Sequence, residues 1–249
     1  MATVKKTHKR GIYLLPNLFT TAGLFAGFYA IIMAINGEFE AAAIAIFIAM
    51  IMDGFDGRIA RMTNTQSDFG AEYDSLADMV SFCLAPALVI YQLALSELGN
   101  LGWMAAFIYA ACGALRLARF NTQIGIADKR YFQGLASPAA AACIAGWVWL
   151  QNVNIIDVAW LQAISLILTF LCGLLMVSTL RYYSFKELDL KGKVPFFVVL
   201  IAVVVIAVIA LDPALILFTI FLLYALSGPV LTLMQLQRRK AKRYSDKGS

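Results

Sequence analysis

Four aspartates, Asp53, Asp56, Asp74 and Asp78, stand in an otherwise strongly apolar stretch of chain, and chemistry has to be sought there first. A carboxylate near membrane depth costs about 2.5 kcal/mol or more unless it is paired or functional. Spacing i, i+3 places Asp53 and Asp56 on one face of a helix, and i, i+4 does the same for Asp74 and Asp78. The segment between them, 61–70, is short and polar, so two antiparallel helices can bring the four carboxylates together. Like charges in one pocket repel and push protons onto one another. Divalent cations relieve that repulsion, and oxygen donors without His or Cys favour Mg²⁺, Mn²⁺ or Ca²⁺ over zinc. Two metals sharing carboxylates are a recurring device for in-line displacement at phosphorus. Gly54, Gly57 and Ala60 leave room for a bulky anionic group beside the second helix, and Arg61 offers phosphate a guanidinium fork. The bland alternative is a set of interfacial acids neutralised by Arg58, Arg61 and lipid headgroups. Four acids spaced for two facing helices, with glycines and an arginine beside them, favour chemistry.

The elements that must position these groups are membrane helices. Of 249 residues, 61% are hydrophobic and 14% charged, where a soluble domain carries about 25% charge. Apolar windows long enough to cross a bilayer predict an all-α bundle of eight spans, near 14–36, 39–61, 72–96, 100–120, 136–152, 157–180, 194–211 and 213–235. The first follows a basic N-terminus, as a signal peptide would, but it exceeds 20 residues and lacks a clear small-residue cleavage site. It is read as a retained span. With eight spans, all 20 Lys and Arg residues fall on one side of the membrane, from Lys5 through Arg58, Arg116, Lys129 and Lys186 to Lys247. Only Glu38, Glu40, Glu97, Asp157 and Asp212 fall on the other. The positive-inside rule then places both termini and the aspartates on the cytoplasmic side. The basic tails can also grip anionic headgroups. Nothing in the pattern points to nucleic acid. The four cysteines are scattered singly in apolar stretches, and His8 lies in the basic tail, so thiol and imidazole chemistry are set aside.

Residues 53–78 fit D-x2-D-G-x2-A-R-x8-G-x3-D-x3-D at all eight fixed positions: Asp53, Asp56, Gly57, Ala60, Arg61, Gly70, Asp74 and Asp78. This run resembles the signature of the CDP-alcohol phosphotransferase family. The resemblance implies a six-helix catalytic core over 14–183, followed by two additional helices over 184–236. A basic cytoplasmic segment, 1–13, would precede them and a basic tail, 237–249, would follow. It implies that Asp53, Asp56 and Asp74 ligate metal, and that Asp78 touches a second metal and acts as general base. The cofactors would be two Mg²⁺ or Mn²⁺ ions per site. Gly57, Arg61 and Ser67, with Ala60 beside them, look like positions that hold the CDP moiety. The run Pro16–Thr20 is similar to the family's P-N-x-x-T element, whose Asn17 and Thr20 would lie beside the nucleotide. Taken alone, Pro16-Asn17 is simply a helix start. A homodimer in the inner or plasma membrane is also implied.

Two further runs, G-A-L-R-L-A-R-F-N over 113–121 and F-Q-G-L-A-S-P-A-A over 132–140, are similar to runs in family members that use CDP-diacylglycerol and L-serine. Ala136 stands where those members carry proline. Arg116 and Arg119 share a helix face at the cytoplasmic end of the fourth span, where guanidinium groups can pair an amino-acid carboxylate bidentately. Asn121 can orient the amine or hydroxyl. Their alternative is topogenic charge without a substrate role. Gly134 to Pro138 reads as a turn with no assigned chemistry. Glycerol 3-phosphate, inositol phosphate and choline are the competing acceptors. A cation-coupled transporter is the competing class, although it calls for acids near the midplane and repeated broken helices.

Overall fold

The computed structural model describes residues 14–63, 65–122, 131–153, 158–183 and 196–245. The expected segment 1–13 and Lys129, Arg130, Lys186, Lys191, Lys193 and Lys247 lie outside them.

Helix α1 (Leu14–Ile35) turns into α2 (Phe39–Thr63) at Gly37, whose φ of +81° is the left-handed conformation that closes a helix. The amides of Gly37 and Glu38 reach back to the carbonyls of Ala34 at 3.1 Å and Met33 at 2.8 Å, so the carbonyls at the helix end are met. The third rod spans Asp68–Leu98 and is composite. It runs as α3 (Asp68–Asp78), a π-helical turn over Met79–Leu84, α4 (Ala85–Ile90), a second π turn over Tyr91–Leu95 and a 3₁₀ turn over Ser96–Leu98. Pro86, near the start of α4, has no N–H for the carbonyl four residues earlier, that of Phe82. The buried Tyr109 donates its hydroxyl to that carbonyl at 3.1 Å. Then come α5 (Asn100–Thr122), β1 (Tyr131–Gln133), α6 (Ser137–Val153), α7 (Val158–Val177), β2 (Arg181–Tyr183), α8 (Phe196–Leu211) and α9 (Pro213–Ser245).

Among the described residues, eight helical rods occupy the eight expected spans. The third begins earlier than expected, at Asp68, and the last continues helically through Ser245, so most of the expected tail is an extension of α9. No strand was expected, yet β1 and β2 form an antiparallel ribbon pairing Tyr131 with Tyr183 and Gln133 with Arg181. Three-residue strands leave no alternating pattern long enough to read in a sequence. Among the described residues, five rods are long and apolar enough to cross a membrane: Leu15–Ile35, Asp68–Leu98, Asn100–Thr122, Val158–Val177 and Pro213–Met234. Helix α2 carries Glu40, Asp53, Asp56, Arg58 and Arg61, while α6 and α8 have 17 and 16 residues, short of the ~20 that span a bilayer upright. The protein is an integral membrane protein.

Its core is built largely from alanine, including Ala30, Ala42, Ala43, Ala49, Ala140 and Ala141. Small side chains let helix backbones approach closely where lipid supplies no hydrophobic drive. At Gly27 and Gly113 a Cβ would collide with Ser81 and Cys83, so α1 and α5 close directly onto the first π turn. Large apolar groups such as Phe25, Phe107, Ile206 and Leu223 face outward. The first six rods alternate in direction. The start of α1, the end of α2 and the start of α3 meet at one end of the bundle, together with the end of α5, the start of α6 and the end of α7.

Candidate active site

At that end α2 and α3 present their aspartates. Asp53, Asp56 and Asp74 each bring a carboxylate oxygen into a group whose members all lie within 4.8 Å of one another. Asp56 is buried, and Thr20 on α1 donates its hydroxyl to Asp56 Oδ2 at 2.9 Å. Thr20 Oγ1 also lies 3.2 Å from the carbonyl of Pro16, so the P-N-x-x-T run ties the first turns of α1 to the acidic cluster. Asp78, one helical turn deeper than Asp74, is not part of the group of three. It lines the same small cavity, of about 10 Å³, with Thr20, Asp53, Asp56, Asp74 and Ser81. There it is within electrostatic reach of Asp53, Asp74 and Arg116. Three oxygen-only donors gathered so closely, with no His or Cys among them, fit a hard divalent cation. The site is an acidic triad able to hold a metal.

The residues expected around the nucleotide lie on the neighbouring turns of α1 and α2 and at the start of α3. Gly57 has no side chain, and a Cβ there would stand 3.4 Å from Arg61 Nη1, so the exposed guanidinium lies back over the glycine. Ala60 sits half-buried on the last turns of α2, where its carbonyl accepts from the amide of Thr65 at 3.1 Å. Ser67 caps α3, its Oγ accepting from the amide of Gly70 at 3.1 Å. A Cβ on Gly70 would lie 3.2 Å from Ser67 Oγ and 3.5 Å from Asn17 Oδ1, which places Asn17 on the same rim. Beside them Thr21 Oγ1 and Tyr73 Oη are hydrogen-bonded at 2.9 Å.

The three residues proposed for an acceptor separate. Arg116, half-buried, donates through Nη1 to Ser137 Oγ at 2.9 Å and is within electrostatic reach of Asp78. Asn121 Nδ2 donates to Ser75 Oγ at 3.0 Å, which joins α5 to the aspartate-bearing α3. Arg119 is turned elsewhere. Its guanidinium meets the carbonyls of Val177 at 2.9 Å, Gln133 at 3.1 Å, Ser178 at 3.3 Å and Met176 at 3.4 Å. It caps the C-terminal end of α7 and ties it to β1, the placement in which a cation also complements the helix dipole. The expected turn at Gly134 lies against this knot, with φ +80° and its amide donating to Leu180 O at 2.8 Å. Ser137 and Ser75 have no place in the sequence reading of the site. Ser137 belonged to the second serine-type run, and that run was its only signal.

Comparison with known proteins gives the family. The CDP-alcohol phosphatidyltransferase family matches over residues 13–131, from α1 to the start of β1. A CDP-diacylglycerol–serine O-phosphatidyltransferase of Helicobacter pylori is 36% identical over 215 residues, 86% of this chain and 90% of that protein. One of Bacillus subtilis is 33% identical over 175 residues, 70% of this chain and 92% of that protein. One of Methanocaldococcus jannaschii is 42% identical over 142 residues, 57% of this chain and 63% of that protein. The chain belongs to the CDP-alcohol phosphatidyltransferase family and is a transferase.

Proposed function

We propose that this protein transfers a phosphatidyl group from CDP-diacylglycerol to L-serine, releasing CMP and leaving phosphatidylserine in the bilayer. The observation that carries the reading is the carboxylate triad at one end of a membrane bundle, with Arg61 lying over Gly57 next to Asp56 and Arg116 within electrostatic reach of Asp78. The names of the relatives in H. pylori and B. subtilis point to serine as acceptor.

Asp53, Asp56 and Asp74 hold the cations, two Mg²⁺ or Mn²⁺ in this reading, with Asp78 as a ligand to the second. When bound, these supply charge stabilisation for the pyrophosphate and the departing CMP. Thr20 fixes the carboxylate of Asp56 through its hydrogen bond, the kind of outer partner that orients a ligand. Gly57 and Ala60 leave space for the nucleotide, Arg61 pairs its phosphate, and Asn17 and Ser67 line its rim. Asp78 takes the proton of the serine hydroxyl, whose oxygen then attacks the phosphorus bearing the diacylglycerol. Arg116 pairs the serine carboxylate, and Asn121 orients its amine. Arg119 serves the acceptor side by holding the ends of α7 and β1 in place.

Topology completes the proposal. The active site and both termini face the cytoplasm, the acyl chains stay in lipid, and the protein works as a homodimer. The test is product analysis. Purified protein given CDP-diacylglycerol, Mn²⁺ and L-serine yields phosphatidylserine and CMP in equal amounts, and glycerol 3-phosphate, inositol phosphate or choline yields neither. Transfer to one of those acceptors but not to serine would keep the family and overturn the acceptor.

A further inference from the structure

The last two helices follow the expected six-helix core, and the reaction proposed above gives them no task. Helix α9 has Pro229 within its length. Proline has no amide hydrogen, so the carbonyl four residues earlier, that of Ala225, loses its helical donor. Ala225 is 3% exposed, so bulk water cannot replace that donor, and an unmet buried acceptor is costly. The replacement comes from β2. Tyr182, fully buried, donates its hydroxyl to the carbonyl of Ala225 at 2.9 Å. Gly228 permits the approach, because a Cβ there would collide with the Tyr182 ring.

The contact leads back to the site. The Tyr182 ring meets that of Tyr224 with centroids 5.6 Å apart. Tyr224 is the residue before the rescued carbonyl, and its phenol lies within electrostatic reach of Arg116. Strand β2 itself follows the end of α7 that Arg119 caps. A chain of contacts results: Arg119 holds the end of α7, β2 carries Tyr182 to α9, and the Tyr182 ring packs on Tyr224. The pairing of Tyr109 with the carbonyl of Phe82, four residues before Pro86, is the same device used within the core.

We propose that α9 forms a wall of the acceptor subsite, with Tyr182 and Tyr224 as positioning residues for Arg116. Tyr182 acts through the carbonyl that Pro229 leaves free, and Tyr224 through its packing on the Tyr182 ring and the electrostatic reach of its phenol. The inference rests on the reading of Arg116 as partner of the acceptor carboxylate.

The experiment is steady-state kinetics on the full-length protein with CDP-diacylglycerol and L-serine. It compares wild type with Tyr182→Phe, Pro229→Ala, the Tyr182→Phe/Pro229→Ala double variant and Tyr224→Phe. Tyr182→Phe raises KM for L-serine about tenfold, the scale of one lost buried hydrogen bond, while kcat and KM for the lipid stay within about twofold. Pro229→Ala restores an amide donor to Ala225, so the double variant returns toward the wild-type KM. Tyr224→Phe raises KM for serine by about threefold, again without touching the lipid. Unchanged KM for serine in both tyrosine variants overturns the proposal, and so does a double variant no better than Tyr182→Phe. Loss of thermal stability with unchanged KM counts against it too, since a merely structural latch gives that result. Serine-dependent CMP release by the wild type is the control that separates the two claims. Its absence sinks the proposed reaction, whereas unchanged KM values in an active set sink the role of α9.

Discussion

At one end of the bundle, α2 and α3 hold three carboxylates within 4.8 Å of one another, whereas at the end of α7 a single guanidinium, that of Arg119, meets four backbone carbonyls. Both clusters sit where helices end, and both belong to runs resembling the same family. They differ in what they ask of their surroundings. Carboxylates gathered together repel, and the arrangement gains from an added cation. The Arg119 cluster is complementary within itself: donors face acceptors, and no ligand is needed. Crowded like charge marks a place for chemistry, and matched opposite polarity marks a place for architecture. Arg116 lies between these cases. It shares a helix face with Arg119 yet turns toward Ser137 and Asp78.

Substitutions can break that contrast, beginning with the acids. Asp78→Asn, which need not disturb the helix, lowers serine-dependent CMP release by about 10²–10⁴-fold, the range for loss of a positioned acid–base group. Residual activity near wild type in Asp78→Asn would move the general base elsewhere. Thr20→Val removes the hydroxyl that holds Asp56 and weakens activation by Mn²⁺ about 10–100-fold, read as a shift in the concentration for half-maximal rate. Little change in kcat at saturating Mn²⁺ is expected in that variant.

The arginines sharpen the comparison further. Arg116→Lys keeps the charge but loses the fork, and KM for L-serine rises about tenfold while KM for CDP-diacylglycerol stays put. Arg119→Gln is expected to act on stability first. Loss of a guanidinium satisfied by carbonyls lowers the unfolding temperature by about 5 °C in detergent, with KM for serine affected less than in the Arg116 variant. If the two variants instead shifted KM for serine equally with no thermal effect, both arginines would touch the acceptor and the contrast would collapse.

Much of this was legible in the sequence, for physical reasons. Bilayer thickness imposes long apolar runs, so the rods announce themselves. Helical periodicity and a short connection suffice to bring Asp53, Asp56 and Asp74 together. The orientation of single side chains is another matter. Spacing i, i+3 places Arg116 and Arg119 on one face, but it does not reveal that the end of α7, distant in sequence, presents carbonyls to one of them. The π turns around Pro86 were hidden as well, because an apolar run has the same composition whether its helix is regular or widened. Nor does the sequence pair Tyr182 with Pro229; that contact exists only once β2 lies against α9.

The central claim is that the aspartate triad is a cation site on which transfer to serine depends. Its most direct test is serine-dependent CMP release across an Mn²⁺ titration, in wild type and in Asp53→Asn, Asp56→Asn and Asp74→Asn. A saturable activation in the wild type, abolished by chelator, and displaced to far higher Mn²⁺ or lost in each variant, is the result predicted. Full serine-dependent release in the presence of chelator, or the same Mn²⁺ dependence in all four proteins, would contradict it.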